Sequence, residues 1–513
     1  MAEKKPAGNA KKAAAPKTNR SVGGKVIENV MKEADNMKKI LFVSSESAPF
    51  ITTGGLGEVV GSLPKNLMEQ DENIDVRIVL PLYEEVTSRF KDKLDFVGTV
   101  YVKLDWRNQY CGVFTAQAGR VTYYFIDNEY YFKRADCYGH FDDGERFAFF
   151  GKAVLDILEL IGFVPDVIHM HDWQSAVIAV YLKTNYAHKQ EFKDIKTVFT
   201  VHNIEYQGKY DMSILSNVFD IAYEYKNILE YDGGINLMKG AMTCSDIIST
   251  VSPTYSREIH DYHASHGLDP IINMQTAKVR GILNGIDTES YNPDSDDKIF
   301  ANYNADDPRK KVENKVQLQT IMNLAVQDDI PVIGIITRLV GHKGIDLITG
   351  AMNELVNLPV QFIILGSGDR GYELSLESFA ERFPEKIAIK IGFNNELARR
   401  IYAGADMLLM PSKNEPCGIS QMIAARYGTV PLVRETGGLK DSIVPYETDG
   451  GNGIGFTFSE YASDSIVEII NRATEIYKDK EKWNGLVKRL MSCDFSWSQP
   501  AQEYIKMYEE LLG

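Results

Sequence analysis

The sequence is poor in several features that define other protein classes. Its five cysteines in 513 residues are scattered and form no C-x-x-C pair, so we expect neither a disulfide framework nor a structural zinc site. No apolar run approaches the ~18 residues of a membrane span, and the N-terminus has no apolar signal-peptide core. A P-loop of the G-x-x-x-x-G-K-[ST] type is also missing, which argues against ATP hydrolysis of that kind. These absences predict a cytoplasmic protein without a membrane partner.

The chain also has fewer positively than negatively charged residues. The chain has 56 lysines and arginines against 71 aspartates and glutamates, a formal net charge of −15. A folded nucleic-acid binder usually presents a basic face, so we expect no nucleic acid as a partner, although a local basic pocket can still bind an anion. The exception is residues 1–37, which are rich in Lys, Ala and Pro and are predicted to form a disordered basic tail.

Short apolar runs alternate with helix-length amphipathic segments from Lys38 onwards. The first series of runs lies at 39–45, 76–81, 121–127, 166–171, 197–202 and 246–252. The second series lies at 331–338, 360–366, 387–393, 406–411 and 430–435. Apolar runs flanked by helices are typical of parallel strands that are covered on both faces. We therefore predict an α/β fold of two doubly wound, Rossmann-like domains that face each other across a cleft.

The break between these domains is predicted from composition. Glycine, asparagine, aspartate and proline concentrate between residues 265 and 315. We assign residues 38–275 to the first domain and 276–495 to the second, and we expect residues 496–513 to form a C-terminal helix.

Two glycine pairs lie where ligands of such folds bind, beyond the carboxyl ends of the strands. The tetrapeptide T-G-G-L occurs at 53–56 and again at 436–439, each time at the start of a helix. Backbone N–H groups and the positive end of a helix suit phosphate. Glu415 follows the apolar run 407–410, and its carboxylate suits sugar hydroxyls. The pattern predicts a site that holds a sugar and a diphosphate side by side.

Further candidates follow other strands. Arg338 and Lys343 lie in one loop, and converging cations favour a bound diphosphate, with solvated surface cations as the alternative. In the pair H-x-H, His171 at the strand tip is the cleft candidate and His169 is expected to be structural. No carboxylate or cysteine completes a metal site with this pair, so no metal is predicted.

A glycine-rich loop at 366–371 matches G-x-G-x-x-G after a strand. The match is weak evidence alone, and no clear acidic strand end follows about 20 residues later. We interpret this loop as a nucleotide contact and do not expect an oxidoreductase.

Together these motifs resemble the bacterial glycogen synthase and plant starch synthase family, from about Lys38 to the C-terminus. The matching blocks, in order, are SSESAPF, TGGLGEVVGSLP, YFIDNEYYF, DDGERFAFF, PDVIHMHDWQSA, TVHNIEYQG, TVSPTYSREI, GILNGID, TRLVGHKG, PSKNEPCGISQ and RYGTVPLVRETGGL. The resemblance implies the GT-B fold, in which the C-terminal helix crosses back to the first domain. It also implies a retaining glucosyltransferase that uses no cofactor and no metal.

The resemblance implies roles for individual residues. Arg338 and Lys343 match a pair that binds the donor diphosphate. Glu415 and His171 match residues that hold the transferred glucose, and Asp142 matches a carboxylate on the acceptor side. The resemblance also implies donor-binding roles for Phe393 (against the base), Thr436, Gly437, Gly438 and Leu439. Gly54, Gly55 and Asn236 are further donor-binding candidates because of their places after strands and at helix starts.

The implied reaction transfers glucose from ADP-glucose to the non-reducing 4-hydroxyl of an α-1,4-glucan such as glycogen, with retention of configuration. UDP-glucose stays open as the donor, and homo-oligomer formation stays open too. The alternatives are another retaining GT-B enzyme that uses UDP-glucose, a glucan phosphorylase with pyridoxal phosphate, and a catalytically weak glucan-binding or regulatory relative. The last alternative arises because Thr52 stands where the family has the lysine of K-x-G-G-L. A smaller departure is Tyr291, where many relatives have tryptophan.

Overall fold

The computed structural model describes residues 37–513. Of the tail predicted at 1–37, all but Met37 lies outside the described residues. The strands are β1 Lys38–Val43, β2 Ile74–Pro81, β3 Asp95–Leu104, β4 Arg107–Ala118, β5 Val121–Asp127, β6 Val167–His171, β7 Lys196–Val201, β8 Lys209–Asp211, β9 Glu230–Tyr231, β10 Gly234–Asn236, β11 Ile247–Thr250, β12 Val279–Gly281, β13 Val332–Ile336, β14 Gln361–Gly366, β15 Ile387–Ile391, β16 Met407–Met410, β17 Val430–Arg434 and β18 Phe456–Phe458.

Helices lie between most of these strands. They are α1 Gly55–Gln70, α2 Glu84–Phe90, α3 Glu129–Phe132, α4 Asp143–Asp156, α5 Trp173–Lys183, α6 Lys226–Leu229, α7 Leu237–Cys244, α8 Pro253–Glu258, α9 Asp269–Met274, α10 Lys311–Ile321, α11 Ile345–Leu355, α12 Arg370–Arg382, α13 Asn395–Gly404, α14 Ser420–Arg426, α15 Gly437–Ser442, α16 Ser463–Lys478, α17 Lys480–Met491 and α18 Ser498–Leu512.

Two large sheets form the centres of the two domains. The first has nine strands in the order β12-β11-β7-β6-β1-β2-β5-β4-β3; β4 pairs antiparallel with both β5 and β3, and the other neighbours pair in parallel. The second has six parallel strands in the order β15-β14-β13-β16-β17-β18. A small antiparallel sheet, β8-β10-β9, belongs to the first domain. In both large sheets the parallel order brings the carboxyl ends of several strands to one edge, where ligands of open α/β sheets bind.

The apolar pattern explains why these elements form. Residues 40–43 of β1 are fully buried, as expected for a strand covered on both faces. Helix α1 buries one apolar stripe and leaves most of its other face half-buried; the stripe includes Leu56, Val59, Val60, Leu63 and Leu67. The predicted α/β fold with two doubly wound domains is the one observed.

The boundary between the domains lies later in the chain than predicted. Strand β12 pairs in parallel with β11, so the sheet of the first domain extends to Gly281 and not only to residue 275. After β12 the chain runs beside the segment that leads into the last helix. Ile286 N–H donates to Phe495 O at 2.8 Å, and a side chain at Gly285 would overlap the Ser496 carbonyl. The two connections between the domains therefore lie side by side.

The last helix, α18, packs on the first domain. Buried Tyr508 places its hydroxyl 2.7 Å from Nδ1 of His169 in β6, and Lys38 Nζ lies 2.9 Å from Glu509 Oε1. The other ring nitrogen of His169 lies beside Thr200 Oγ1 at 2.5 Å. Both nitrogens of this histidine thus have partners, in line with the structural role expected for it.

We predict that Tyr508→Phe destabilises the protein by about 1–3 kcal/mol, because it leaves one nitrogen of the buried His169 unpaired. The measurement is the shift of the urea unfolding midpoint at constant m-value. Tyr83→Phe is the control: the Tyr83 hydroxyl is buried and has no hydrogen-bond partner among the described residues, so its removal should be nearly neutral. Equal shifts in the two variants would contradict the prediction.

Candidate active site

An ion pair joins two of the predicted site residues at the edge of the second sheet. Lys343 ends a 3-10 turn after β13, and Glu415 follows β16, the neighbouring strand. The Lys343 ammonium lies 2.9 Å and 2.7 Å from the two carboxylate oxygens of Glu415, and Ser412 Oγ donates to one of these oxygens at 2.9 Å. The two side chains are only 17% and 9% exposed. The groups predicted to bind diphosphate and sugar are therefore bound to each other.

The residue after Lys343 fixes this turn. Gly344 has φ +76°, and a Cβ there would lie 2.3 Å from the carbonyl oxygen of Pro411, just after β16. Only glycine combines the left-handed backbone with this close approach. The turn that carries Lys343 is thus held against the loop that carries Glu415.

Arg338 lies in the same loop and is exposed to solvent. Its Nη2 is 3.5 Å from Nε2 of His342. The other ring nitrogen of His342 lies 3.9 Å from a carboxylate oxygen of Glu205, which belongs to the first domain. Partial burial, followed by the charge of Lys343, lowers the pKa of His342, so a neutral imidazole separates the two cations.

The T-G-G-L turn at 436–439 uses its N–H groups within the protein. Gly437 N–H donates to Glu258 of the first domain, 3.0 Å and 3.2 Å from its two carboxylate oxygens. Gly438 N–H donates to Glu415 O at 3.2 Å, and Leu439 N–H donates to Thr436 O at 3.1 Å. Of these three N–H groups, that of Gly437 donates to a side chain, whereas the other two donate to backbone carbonyls.

The first T-G-G-L turn has a similar partner. Glu46 accepts from Thr53 N–H at 2.5 Å and from Gly54 N–H at 3.2 Å, and it is itself 3% exposed. Tyr138 O–H donates to the same carboxylate at 2.7 Å. A Cβ on Gly55 would lie 3.5 Å from Ile419 of the second domain, so this turn borders the loop that follows Glu415.

His171 ends β6 and is fully buried. Its Nδ1 lies 3.0 Å from Nε2 of His202, while its Nε2 has no hydrogen-bond partner among the described residues. Burial, and then the neighbouring His169 and His202, hold the pKa of His171 well below its usual range. The strand tip therefore carries a neutral imidazole with one unused nitrogen.

Asp172, the next residue, has the strained backbone often found at functional sites. Its φ is +56°, which is rare for a residue with a side chain. Its carboxylate accepts from His202 N–H at 2.7 Å, and burial raises its pKa to about 7.

The remaining predicted residues lie in different surroundings. Arg134 donates to both oxygens of Asp142 at 2.6 Å, and this pairing lowers the pKa of Asp142. The Asn236 side chain caps α7 by accepting from Lys239 N–H at 2.9 Å, and it donates to Gln207 at 2.8 Å, so its oxygen and its amide group each have a partner within the first domain. Phe393 is 93% exposed after β15.

Four residues of the site were not selected from the sequence: Glu46, Glu205, Glu258 and His342. Each lies inside a block that carries the resemblance, and each is adjacent to a motif that was selected or folds against one. For the three glutamates, an acidic residue inside a family block was the available signal; for His342 it was the position between Arg338 and Lys343.

Across residues 37–513 no group of three or more His, Cys, Asp or Glu side chains is arranged to hold a metal ion. None of the helices in that range has the length and apolarity needed to cross a membrane.

Comparison with known proteins agrees with this geometry. The family model described as "Starch synthase catalytic domain" matches residues 39–274, and the model "Glycosyl transferases group 1" matches residues 319–486. The chain is similar to glycogen synthases from Desulforamulus reducens (44% identical), Ligilactobacillus salivarius (45%) and Clostridium botulinum strain Alaska E43 (46%). Each match spans 476 residues, 92% of this chain and 99% to 100% of the relative.

Solved structures give the same picture. The catalytic domain of starch synthase IV from Arabidopsis thaliana, bound to ADP and acarbose, matches with a TM-score of 0.85 at 33% identity, over 93% of this chain and 99% of that one. Sucrose-phosphate synthase from Thermosynechococcus elongatus matches with a TM-score of 0.57 at 15% identity, over 92% and 99%, which shows the fold alone. The predicted GT-B fold is confirmed.

We predict that Lys343→Met destabilises the protein by ~3 kcal/mol, the lower end of the cost of removing one partner of a buried ion pair, because Lys343 is partly exposed. The double variant Lys343→Met/Glu415→Gln should recover part of this loss, with a coupling free energy of about 0.5–3 kcal/mol. Urea unfolding of the wild type, both single variants and the double variant measures it. Strictly additive losses would show that the two side chains do not stabilise each other.

Proposed function

The chain belongs to the glycogen and starch synthase family of hexosyltransferases, and from that premise we propose that it transfers glucose from ADP-glucose to the non-reducing 4-hydroxyl of an α-1,4-glucan, with retention of configuration. The observation that carries the proposal is the Lys343–Glu415 pair beside Arg338. Cations that would suit a diphosphate thus lie next to a carboxylate that would suit sugar hydroxyls, which supports the proposal. The near-complete match to glycogen synthases gives this arrangement its substrate class.

In the proposed mechanism, Arg338 and Lys343 stabilise the negative charge that grows on the leaving diphosphate. Lys343 is already held by Glu415, so its ammonium is oriented before the donor arrives. The donor would bring phosphate oxygens to Lys343 and hydroxyl groups to Glu415, and each side chain would then have a second partner. Preorganised charges of this kind stabilise a transition state without further rearrangement.

The transferred glucose would contact His171 and Glu415. The unused Nε2 of His171 is a neutral group that can donate to or accept from a sugar hydroxyl, depending on its tautomer. The acceptor hydroxyl would attack from the face that the diphosphate leaves, and a leaving-group phosphate oxygen would take its proton. Contact between the two domains around the site would exclude water, which otherwise hydrolyses the donor.

The donor base and the acceptor are assigned from other observations. The starch synthase IV structure is bound to ADP and acarbose, which supports an adenine nucleotide and a glucan-like ligand here. The exposed ring of Phe393 is free to stack on the base. We keep Asp142 on the acceptor side, where Arg134 holds it ionised. The turns at Gly54–Gly55 and at 436–439, with Asn236, complete the proposed donor site.

We predict that Arg338→Ala lowers kcat/KM for glucosyl transfer from ADP-glucose to glycogen by about 10²–10³-fold, equivalent to ~2.7–4 kcal/mol of lost transition-state stabilisation. The measurement is steady-state kinetics with ADP-glucose and UDP-glucose side by side. Arg382→Ala is the control, because Arg382 is exposed at the end of α12 and stacks on Phe379 and Phe383. Near-wild-type kcat/KM in Arg338→Ala would overturn the assigned role.

A substitution at Thr52 tests the donor site through an expected gain of kcat/KM instead of a loss. It is exposed, immediately before the first T-G-G-L turn. We predict that Thr52→Lys raises kcat/KM for ADP-glucose about tenfold, near the lower end of the ~1.5–3 kcal/mol that a hydrogen bond to a charged group contributes. Thr52→Met has a similar length without the charge and should give no gain. If both variants gain equally, or neither does, an ammonium at this position is not what limits the donor.

A further inference from the structure

Besides Glu205 and the first T-G-G-L turn, a short segment of the first domain contacts the donor side of the second: residues 252–258, which we call the bridging segment. Ser252 Oγ donates to Pro416 O at 2.7 Å. Thr254 donates to Asp441 through its N–H and its hydroxyl, both at 2.6 Å. Glu258, at the end of the segment, accepts from the turn that opens α15. The segment therefore contacts the Glu415 loop and the second T-G-G-L turn together.

Glu258 directly contacts two residues of the proposed donor site, Thr436 and Gly437. Its two oxygens lie 3.0 Å and 3.2 Å from Gly437 N, and 3.2 Å and 3.4 Å from Thr436 Oγ1. Burial raises the pKa of Glu258, while the hydrogen bonds from Gly437 and Thr436 and the charge of Arg434 oppose that rise. One carboxylate thus satisfies two donors of a turn that belongs to the other domain.

The turn transmits this contact to Glu415. Gly437 has φ +44°, and a Cβ there would lie 2.0 Å from Glu415 O. The next N–H, of Gly438, donates to the same carbonyl oxygen at 3.2 Å. The turn and the Glu415 backbone are therefore packed without space between them, and a displaced turn would displace Glu415.

Comparison with the first T-G-G-L turn indicates the role of the contact between Glu258 and the second turn. There Glu46 satisfies the N–H groups of Thr53 and Gly54 from within the same domain. That turn is complete in one domain by itself. The turn at 436–439 obtains the corresponding carboxylate from Glu258, so its shape depends on how the two domains sit against each other.

We propose that Glu258 is a positioning residue of the donor site: from the acceptor-side domain it holds the Thr436–Gly437 turn, and through it Glu415, in the shape that the donor diphosphate and sugar require. This inference rests on the proposed function. Because the contact joins the domains, donor affinity is linked to their approach, and by reciprocity a bound donor stabilises the closed arrangement.

The test compares three variants of the full chain: Glu258→Ala, Glu258→Gln and Asp441→Ala. Asp441→Ala is the matched control, because it removes another hydrogen-bonded contact between the same two helices without touching the turn. The measurements are the Kd of ADP by calorimetry, the KM for ADP-glucose and for glycogen, kcat, and the melting temperature.

We expect Glu258→Ala to raise the Kd of ADP and the KM for ADP-glucose at least tenfold and to lower kcat, with little change in the KM for glycogen. Glu258→Gln, which keeps an acceptor oxygen for Gly437 N–H, should recover much of the ADP affinity. Asp441→Ala should lower the melting temperature without changing the Kd of ADP. If Glu258→Ala does not fold, the same measurements on Glu258→Gln still test the inference, because the loss of the negative charge should weaken ADP binding to a smaller extent.

Two results would overturn this inference and leave the proposed function standing. Parallel changes in Glu258→Ala and Asp441→Ala would mean that Glu258 only joins the domains. Tighter ADP binding in Glu258→Ala or Glu258→Gln would mean that its carboxylate competes with the diphosphate. A wild-type protein that neither binds ADP nor extends glycogen would overturn the proposed function and this inference together.

Discussion

The pairing of Lys343 with Glu415 is the contact around which the rest of the site is arranged. Each charge would be costly in its largely buried position without the other. The pairing exists because β13 and β16 are neighbours in the second sheet, so the loops after them end at the same edge. Gly344 and Ser412 then fix the two loops against each other and against the carboxylate. A cation for phosphate and an anion for sugar hydroxyls are thereby stable before any ligand binds.

The two T-G-G-L turns both need an acceptor for the N–H groups at a helix start, and they obtain it from different places. A helix start leaves N–H groups without partners, and a nearby carboxylate satisfies them. Glu46 does this within the first domain, whereas Glu258 does it across the domain boundary. The same four letters therefore produce one turn that is complete in its domain and one that needs its neighbour. The distance between the domains and the shape of the proposed donor site therefore depend on the same contact, that of Glu258 with Gly437.

Sequence reasoning predicts what depends on local pattern. The strands of both series, the doubly wound class and the placement of Lys343 and Glu415 at strand ends all follow from apolar runs and the turns after them. The long antiparallel hairpin of β3 and β4 and the late boundary at Gly281 do not, since pairing at a sheet edge is decided by tertiary contacts. The acceptor on Gly437 N–H is 179 residues away in sequence, so no local pattern reveals it.

The acidic character of the chain, with a net charge of −15, is compatible with an anionic donor because two of the nearby carboxylates are paired with cations. Glu415 is paired with Lys343 and Asp142 with Arg134, whereas the partners of Glu258, an N–H and a hydroxyl, are neutral. Arg338 differs from them: within residues 37–513 it forms no salt bridge, and its side chain contacts the neutral imidazole of His342. A guanidinium without a carboxylate partner can pair with an incoming diphosphate without first breaking a salt bridge. The site can thus attract an anion through Arg338, while Lys343 and Arg134 compensate the charges of Glu415 and Asp142.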